Sequence, residues 1–195
     1  MKKKLIVILA LLITAIVIYK LTLKINLNRD YIIGQKLDSL NHVIVYYNGG
    51  VGYNSGRNTT SDGYNLGLKY QCVEFVKRYY YEYLHHKMPD SYGNAKDFFD
   101  NNVLDGELNT KRNLIQYSNS SASKPQINDL IVFKGSVFNP YGHVAIISNV
   151  SDSEIEIIQQ NPGPYGKSRV TFNLKQLNNK WIIDDNKTLG WLHKK

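Results

Sequence analysis

The chain has 195 residues, 43% hydrophobic and 21% charged, a composition that fits one packed domain and excludes general disorder. Its single cysteine, Cys72, excludes an internal disulfide framework, Cys-rich zinc modules and iron–sulfur sites. The net charge of +8 is concentrated in residues 1–24, which hold five lysines and no acid; without them the basic excess falls to three, and no nucleic-acid partner is expected.

Lys2, Lys3 and Lys4 precede an unbroken apolar run from Leu5 to Tyr19, followed by Lys20 and Leu21-Thr22-Leu23. With Lys20 snorkelling, the stretch to Leu23 reaches ~28 Å as a helix, enough to span a bilayer. It has no polar face, so a buried core helix fits poorly. No small-x-small cleavage site follows, and residues 1–24 are therefore expected to be a retained single-pass membrane anchor rather than a removed signal peptide. The lysines at the N-terminus favour a cytoplasmic start, which puts the rest of the chain outside the membrane.

Residues 25–41 read as a linker and 42–195 as the folded domain. The glycine-rich segment Asn48–Gly56 lacks the spacing of a phosphate loop and reads as turns. From Cys72 the apolar positions Cys72, Phe75, Val76, Tyr79, Tyr80 and Tyr83 fall on one helical face, with Glu74, Lys77, Arg78 and Glu82 on the remainder and Pro89 as the stop. Asp97-Phe98-Phe99-Asp100 predicts a second helix. His85 and His86 are adjacent, point apart on a helix, and predict a solvated helix end rather than a metal site.

The pattern then changes to strands: Asp129–Phe133, a hairpin of His143–Val150 and Glu154–Asn161 around Ser151-Asp152-Ser153, and a last strand at Thr188–Leu192. A helix followed by antiparallel strands predicts an α+β fold. On the second hairpin strand Ile155, Ile157, Gln159 and Asn161 share one face, while Glu154, Glu156 and Gln160 share the other, which is expected to face solvent. Either of two registers differing by a two-residue slide sets Gln159 and Asn161 beside His143; a one-residue slide would break this.

A thiol at a helix N-terminus faces unpaired N–H groups and the helix dipole, which favour the thiolate. A neutral imidazole can take its proton, and a third polar side chain can fix the imidazole tautomer. Cys72, His143 and either Gln159 or Asn161 supply that set. The plainer alternatives are a buried free cysteine and a polar strand end, and on spacing alone both readings stand.

Gln71-Cys72-Val73-Glu74-Phe75-Val76-Lys77-Arg78, Asn128–Phe133 with Gly142–Ile147, Ile158-Gln159-Gln160-Asn161, and Leu189-Gly190-Trp191 resemble, in that order, the motif blocks of the CHAP family of cysteine- and histidine-dependent amidohydrolases/peptidases. The branch most similar contains the amidase domain of glutathionylspermidine synthetase/amidase, and the resemblance covers about residues 48–193. It implies a papain-like fold of the NlpC/P60 type, Cys72 as nucleophile and His143 as general base. Gln159 stands where the family often has glutamate, so Gln159 and Asn161 both remain candidates for the residue that orients the histidine. The oxyanion hole would be the Cys72 backbone N–H with Gln71 as second donor. Some relatives bind calcium through acids before the cysteine; here only Asp62 and Glu74 are near, and neither metal nor cofactor is expected.

Three functions follow as expectations. The first is a membrane-anchored, extracytoplasmic cysteine amidase or endopeptidase cutting amide bonds of cell-wall peptidoglycan through a thioester. The second is an amidase on a small glutathione–polyamine-type conjugate. The third is a non-catalytic wall-binding protein of the same fold.

Overall fold

The computed structural model describes residues 2–137 and 139–195. An N-terminal helix, α1 (Lys2–Thr22), has no buried residue and is long and apolar enough to cross a membrane. A small hairpin follows, β1 (Lys36–Leu40) with β2 (Val43–Tyr46), and a second, β3 (Arg57–Thr59) with β4 (Asn65–Leu68). Helix α2 (Cys72–Glu82) starts at the cysteine, as its apolar periodicity predicts. The segment expected as a linker is not free: β1 lies within it, and Asp38 pairs with Arg169 at 2.9 Å.

The remaining strands are β5 (Glu107–Asn109), β6 (Leu114–Ser118), β7 (Leu130–Phe133), β8 (His143–Val150), β9 (Glu154–Ile158), β10 (Arg169–Leu177), β11 (Lys180–Ile183) and β12 (Thr188–His193). They form one eight-stranded sheet in the order β11-β10-β9-β8-β7-β12-β6-β5, and every strand pairing among the described residues is antiparallel. The architecture is thus mixed, with an apolar N-terminal helix and antiparallel sheets. The second helix expected at Asp97–Asp100 is a single 3-10 turn, Ala95–Phe98, closed by reciprocal bonds between Asn94 and Asp97. Only Phe98 and Ala95 of that turn enter the core.

Both faces of the central sheet are covered. Val132, Val144, Ile146 and Ile158 pack against Phe75, Val76, Tyr79 and Tyr80 of α2, while Ile131, Ala145, Ile147, Ile157 and Trp191 form a second core on the opposite face. One expectation is corrected by this. Gln160 does not face solvent but is fully buried, because α2 covers its side of the sheet. Glu74, Lys77 and Arg78 are buried as well, because β4 and its neighbouring loops cover the second side of α2. They survive burial because each has partners. Arg78 bonds Glu74 at 2.6 Å and the Ile44 carbonyl at 2.7 Å, and Lys77 donates to the Asn65 and Ser91 carbonyls. Gln160 joins this group: its amide donates to Glu74 at 2.8 Å and to the Gln71 carbonyl at 3.0 Å, and accepts from the Tyr46 N–H at 2.7 Å.

The β8–β9 hairpin contains an irregularity that controls what its far end presents. Near the turn Val150 faces Ile155 and Asn149 faces Glu156; beyond Ser148, Ile147 faces Ile157 and Ile146 faces Ile158. One extra residue, Ser148, has been taken up by β8 as a bulge. Its hydroxyl donates to the Glu156 carboxylate at 2.7 Å. The slip reverses the face that β9 presents, and the resulting register is one of the two that place Gln159 on the side of His143.

The buried amide of Gln160 gives a stability test. Gln160→Ala leaves the Tyr46 N–H without its acceptor and the Glu74 carboxylate short of a donor, and should cost about 3 kcal/mol by urea denaturation. Glu154→Ala, on the exposed end of the same strand, should stay within about 0.5 kcal/mol.

Candidate active site

Gln71 caps α2 from extended backbone, and Cys72 is the first helical residue. The opening N–H groups of a helix have no partner within it, and those of Cys72 and Val73 turn to the Cys72 sulfur. A third N–H reaches the sulfur from Val144 on β8. Along β8 the N–H groups alternate in direction, and that of Ile147 bonds the Asp129 carbonyl on the β7 side. Val144 therefore points its N–H toward β9. The last facing pair of β8 and β9 is Ile146 and Ile158, so the ladder ends before Val144, while β9 stays in register with β10 through the Gln159 N–H and the Ser168 carbonyl. The thiol occupies the fork where the two strands part, on the peptide that joins His143 to Val144.

His143 opens β8 after Gly142, whose φ of +75° and tight surroundings admit no side chain: a Cβ there would lie 2.6 Å from the Phe133 carbonyl oxygen. The imidazole stands 6.0 Å from the Phe133 ring, which is itself 6.0 Å from Phe172. Its Nε2 lies 2.9 Å from Gln159 Oε1.

Two hydrogen bonds set the state of that ring. Gln159 Nε2 donates to the Lys167 carbonyl at 3.0 Å, and a carbonyl can only accept. The amide of Gln159 must therefore turn Oε1 toward the imidazole, and Oε1 also only accepts. Nε2 of His143 carries the proton, and Nδ1 is left with its lone pair. A backbone carbonyl thus fixes an amide, and the amide fixes a tautomer.

Asn161 is not on the ring. Its backbone turns at φ +58°, and its Nδ2 donates to the Val51 carbonyl at 2.9 Å and to Gln71 Oε1 at 2.6 Å. Of the two residues expected to orient the histidine, Gln159 makes the contact and Asn161 does not. Gln71 likewise departs from expectation. Its amide N–H groups are taken by the carbonyls of Tyr53 at 2.8 Å and Val51 at 3.2 Å, which leaves the side chain as a brace for the 49–53 loop rather than a donor to a reacting oxygen.

Electrostatics correct a further expectation. Burial pushes the Cys72 thiol up to about 11, outweighing the three N–H groups that favour the thiolate. Burial also lowers the His143 imidazole to about 4, against the opposing effect of Gln159. The resting pair is a neutral thiol and a neutral imidazole. The helix N-terminus alone does not outweigh desolvation when the partner residue is an uncharged amide.

An open cleft of roughly 290 Å³ lies against His143 and Gln159, walled by Phe133, Ile157 and Phe172 and rimmed by Lys134 and Lys187. Among the described residues no three His, Cys, Asp or Glu side chains converge as metal ligands would. His86, buried, bonds the Arg112 carbonyl at 2.8 Å.

The buried polar contacts of Glu74, Gln160 and Lys77 were missed from sequence. The adjacency of Gln160 to Gln159 was the available signal, since two neighbouring amides on a strand covered on both faces must both find partners.

The family profile for the CHAP domain matches residues 61–161. Among curated proteins, the trypanothione synthetase of Crithidia fasciculata is 32% identical over 120 residues, covering 62% of this chain and 18% of that protein. The bifunctional glutathionylspermidine synthetase/amidase of Escherichia coli is 30% identical, covering 65% and 22% respectively. The endolysin PlyTW of Staphylococcus phage Twort is 31% identical, covering 55% and 19%. The chain thus spans about a fifth of the length of the curated relatives it matches.

NMR titration of the His143 ring tests the tautomer lock. The wild-type imidazole should remain neutral down to about pH 4. Gln159→Glu should raise its pKa, because a carboxylate stabilises the imidazolium. Asn161→Ala should leave it within about half a pH unit, since Asn161 makes no contact with the ring; an equal response to both changes would contradict this geometry.

Proposed function

This chain belongs to the CHAP domain family, and from that premise we propose that it is a cysteine-dependent amidohydrolase that cuts peptide amide bonds of peptidoglycan from the outer side of a membrane. The observation that carries this reading is the relay from the Lys167 carbonyl through Gln159 to His143, which leaves the Nδ1 lone pair free one residue before the Val144 N–H that faces the Cys72 sulfur. Such a relay is superfluous for a strand-end histidine and useful for a general base. A papain-like arrangement, with a cysteine-bearing helix against a strand that begins with histidine, is the fold reading that goes with it.

In the proposed reaction the Cys72 sulfur attacks the amide carbon while its proton passes to His143 Nδ1. The new S–C bond forms as the carbonyl electrons move to oxygen, and the Cys72 N–H is the donor at hand for that oxyanion. The oxyanion collapses, the C–N bond breaks, and the imidazolium returns the proton to the leaving amine. Water, deprotonated by the same imidazole, then releases the acid from the thioester and restores the thiol. Because Gln159 is neutral, the imidazolium gains no charge partner. A neutral resting pair fits this, with proton transfer coupled to attack instead of preceding it.

The cleft rim bears on the substrate. Lys134 and Lys187 are exposed at the cleft and form none of the ion pairs found among the described residues, while the one acid beside them, Asp185, accepts from the Thr188 hydroxyl at 2.9 Å and the Lys187 N–H at 3.1 Å. Two lysines against one carboxylate leave the rim net positive, which suits a peptide carrying carboxylates and opposes a polyamine conjugate. That favours the wall-peptide reading over the small-conjugate reading, whose support is the synthetase/amidase relative. The apolar α1, with no buried residue, suits a retained anchor, with the domain of residues 42–195 and the preceding β1 strand held outside.

Purified peptidoglycan incubated with the full chain in detergent should release new amines or amino-terminal peptides, identified by mass analysis. Cys72→Ser and His143→Ala should each abolish release while the chain stays folded, since the two act as one unit. Gln159→Ala should lower turnover by roughly 10²-fold. Full release by Cys72→Ser would sink the proposal. The protein should also stay with membranes through a high-salt wash, because apolar burial is insensitive to salt; a soluble chain starting near residue 20 would show that the anchor is removed.

A further inference from the structure

The segment that joins α1 to the domain is bonded to both loops that frame the candidate site. The Leu23 carbonyl accepts from the Gly52 N–H at 2.8 Å. Gly50 lies flush against the same stretch, where an added Cβ would collide with the backbone oxygens of Leu23 and Ile25. Asn26 Oδ1 accepts from the Tyr47 hydroxyl at 2.8 Å, and the Leu27 carbonyl accepts from the Tyr165 hydroxyl at 2.9 Å. Asn28 is buried and donates to the Pro164 carbonyl at 2.9 Å.

These contacts lead directly to the site. The 49–53 loop carries the Val51 carbonyl, on which Gln71 and Asn161 converge. Gln71 is the cap residue before Cys72, and Asn161 begins the turn into the 162–165 loop. The segment therefore reaches the thiol through one brace and the end of β9 through another.

We propose that residues 23–28 are positioning residues of the candidate site: a strut that seats it on the end of the apolar helix, not a flexible tether. The proposal rests on the reading of α1 as a retained anchor. With a strut, the height of the cleft above the membrane is set by packed contacts, and the amide bonds within reach are those presented next to the bilayer.

The test uses the full chain in detergent micelles, where Cys72 is the one cysteine and iodoacetamide reads it alone. Gly50→Val should force residues 23–25 off the domain, and the double variant Asn28→Ala/Tyr165→Phe should remove two docking bonds without adding bulk. Amide exchange in residues 23–28 and 49–53 should rise at least tenfold in either. The midpoint of the pH profile of Cys72 alkylation should fall by at least one pH unit toward the free-thiol value of ~8.5 as the thiol loses its cover. If Gly50→Val does not fold, the double variant decides on the same two measurements. Faster exchange with an unmoved alkylation midpoint would overturn the proposal, as would a Gly52 amide that exchanges freely in the wild type. Neither measurement needs turnover. A failure of the hydrolase reading, with Cys72→Ser still active on peptidoglycan, is therefore distinct from a failure of the strut.

Discussion

A single extra residue in β8 decides which side chains the candidate site contains. Continued from the turn, the hairpin pairing of Val150 with Ile155 would carry Gln160 onto the face of His143 and Gln159 under α2. The bulge at Ser148 shifts the pairing by one and exchanges them. Gln159 then meets the imidazole, and Gln160 becomes the amide that fastens Glu74 and the Gln71 carbonyl beneath the helix. Both consequences come from one slip, because side chains on a strand alternate with a period of two.

The same hairpin opens at its far end, and that opening gives the thiol its place. A ladder that continued past Ile146 and Ile158 would occupy the Val144 N–H with a strand carbonyl. With the β8–β9 pairing ended at Ile146 and Ile158, the N–H is left for the sulfur at the start of α2. Helix and sheet are thereby joined where Cys72 and the strand that His143 opens come together. The cost is desolvation, which holds both groups neutral at rest. A carboxylate in place of Gln159 would oppose that by stabilising the imidazolium; the amide present here orients the ring without charging it.

Beneath the site lies a polar layer rather than an apolar one. Glu74, Arg78, Gln160 and Lys77 are almost fully buried, and their bonds run to backbone carbonyls and N–H groups of β2, β4 and the helix cap as well as to one another. Directional bonds of this kind specify where α2 sits along the sheet, which apolar packing of its tyrosines and Phe75 alone would define less sharply. The rim lysines make the cleft beside His143 and Gln159 positive, and the 23–28 segment is bonded to the loops at 49–53 and 162–165.

Several features were legible in the residues themselves, because they depend on local period and on chemistry carried by single side chains. The exposed apolar run of α1, the start of α2 at Cys72, the β8–β9 hairpin around Ser151–Ser153 and the antiparallel character of the sheet all follow from spacing of 3.6 or 2 and from turn residues. The motif blocks pointed to Cys72 and His143 as the residues to examine together. Other features depended on what covers each surface, which no window of sequence contains. Glu74, Lys77 and Arg78, off the apolar stripe of α2, are buried because β4 packs on them, and Gln160 looked exposed until α2 was packed over it. Gln159 and Asn161 share a strand face and were equivalent by alternation; the φ of +58° at Asn161 and the carbonyls of Val51 and Lys167 separate them. The thiol was expected to be acidic from its helix position, yet desolvation, a property of the assembled fork, outweighs the helix N–H groups and drives it the other way. Periodicity is local and survives in the sequence, whereas burial is a relation between distant segments and exists only once they have packed.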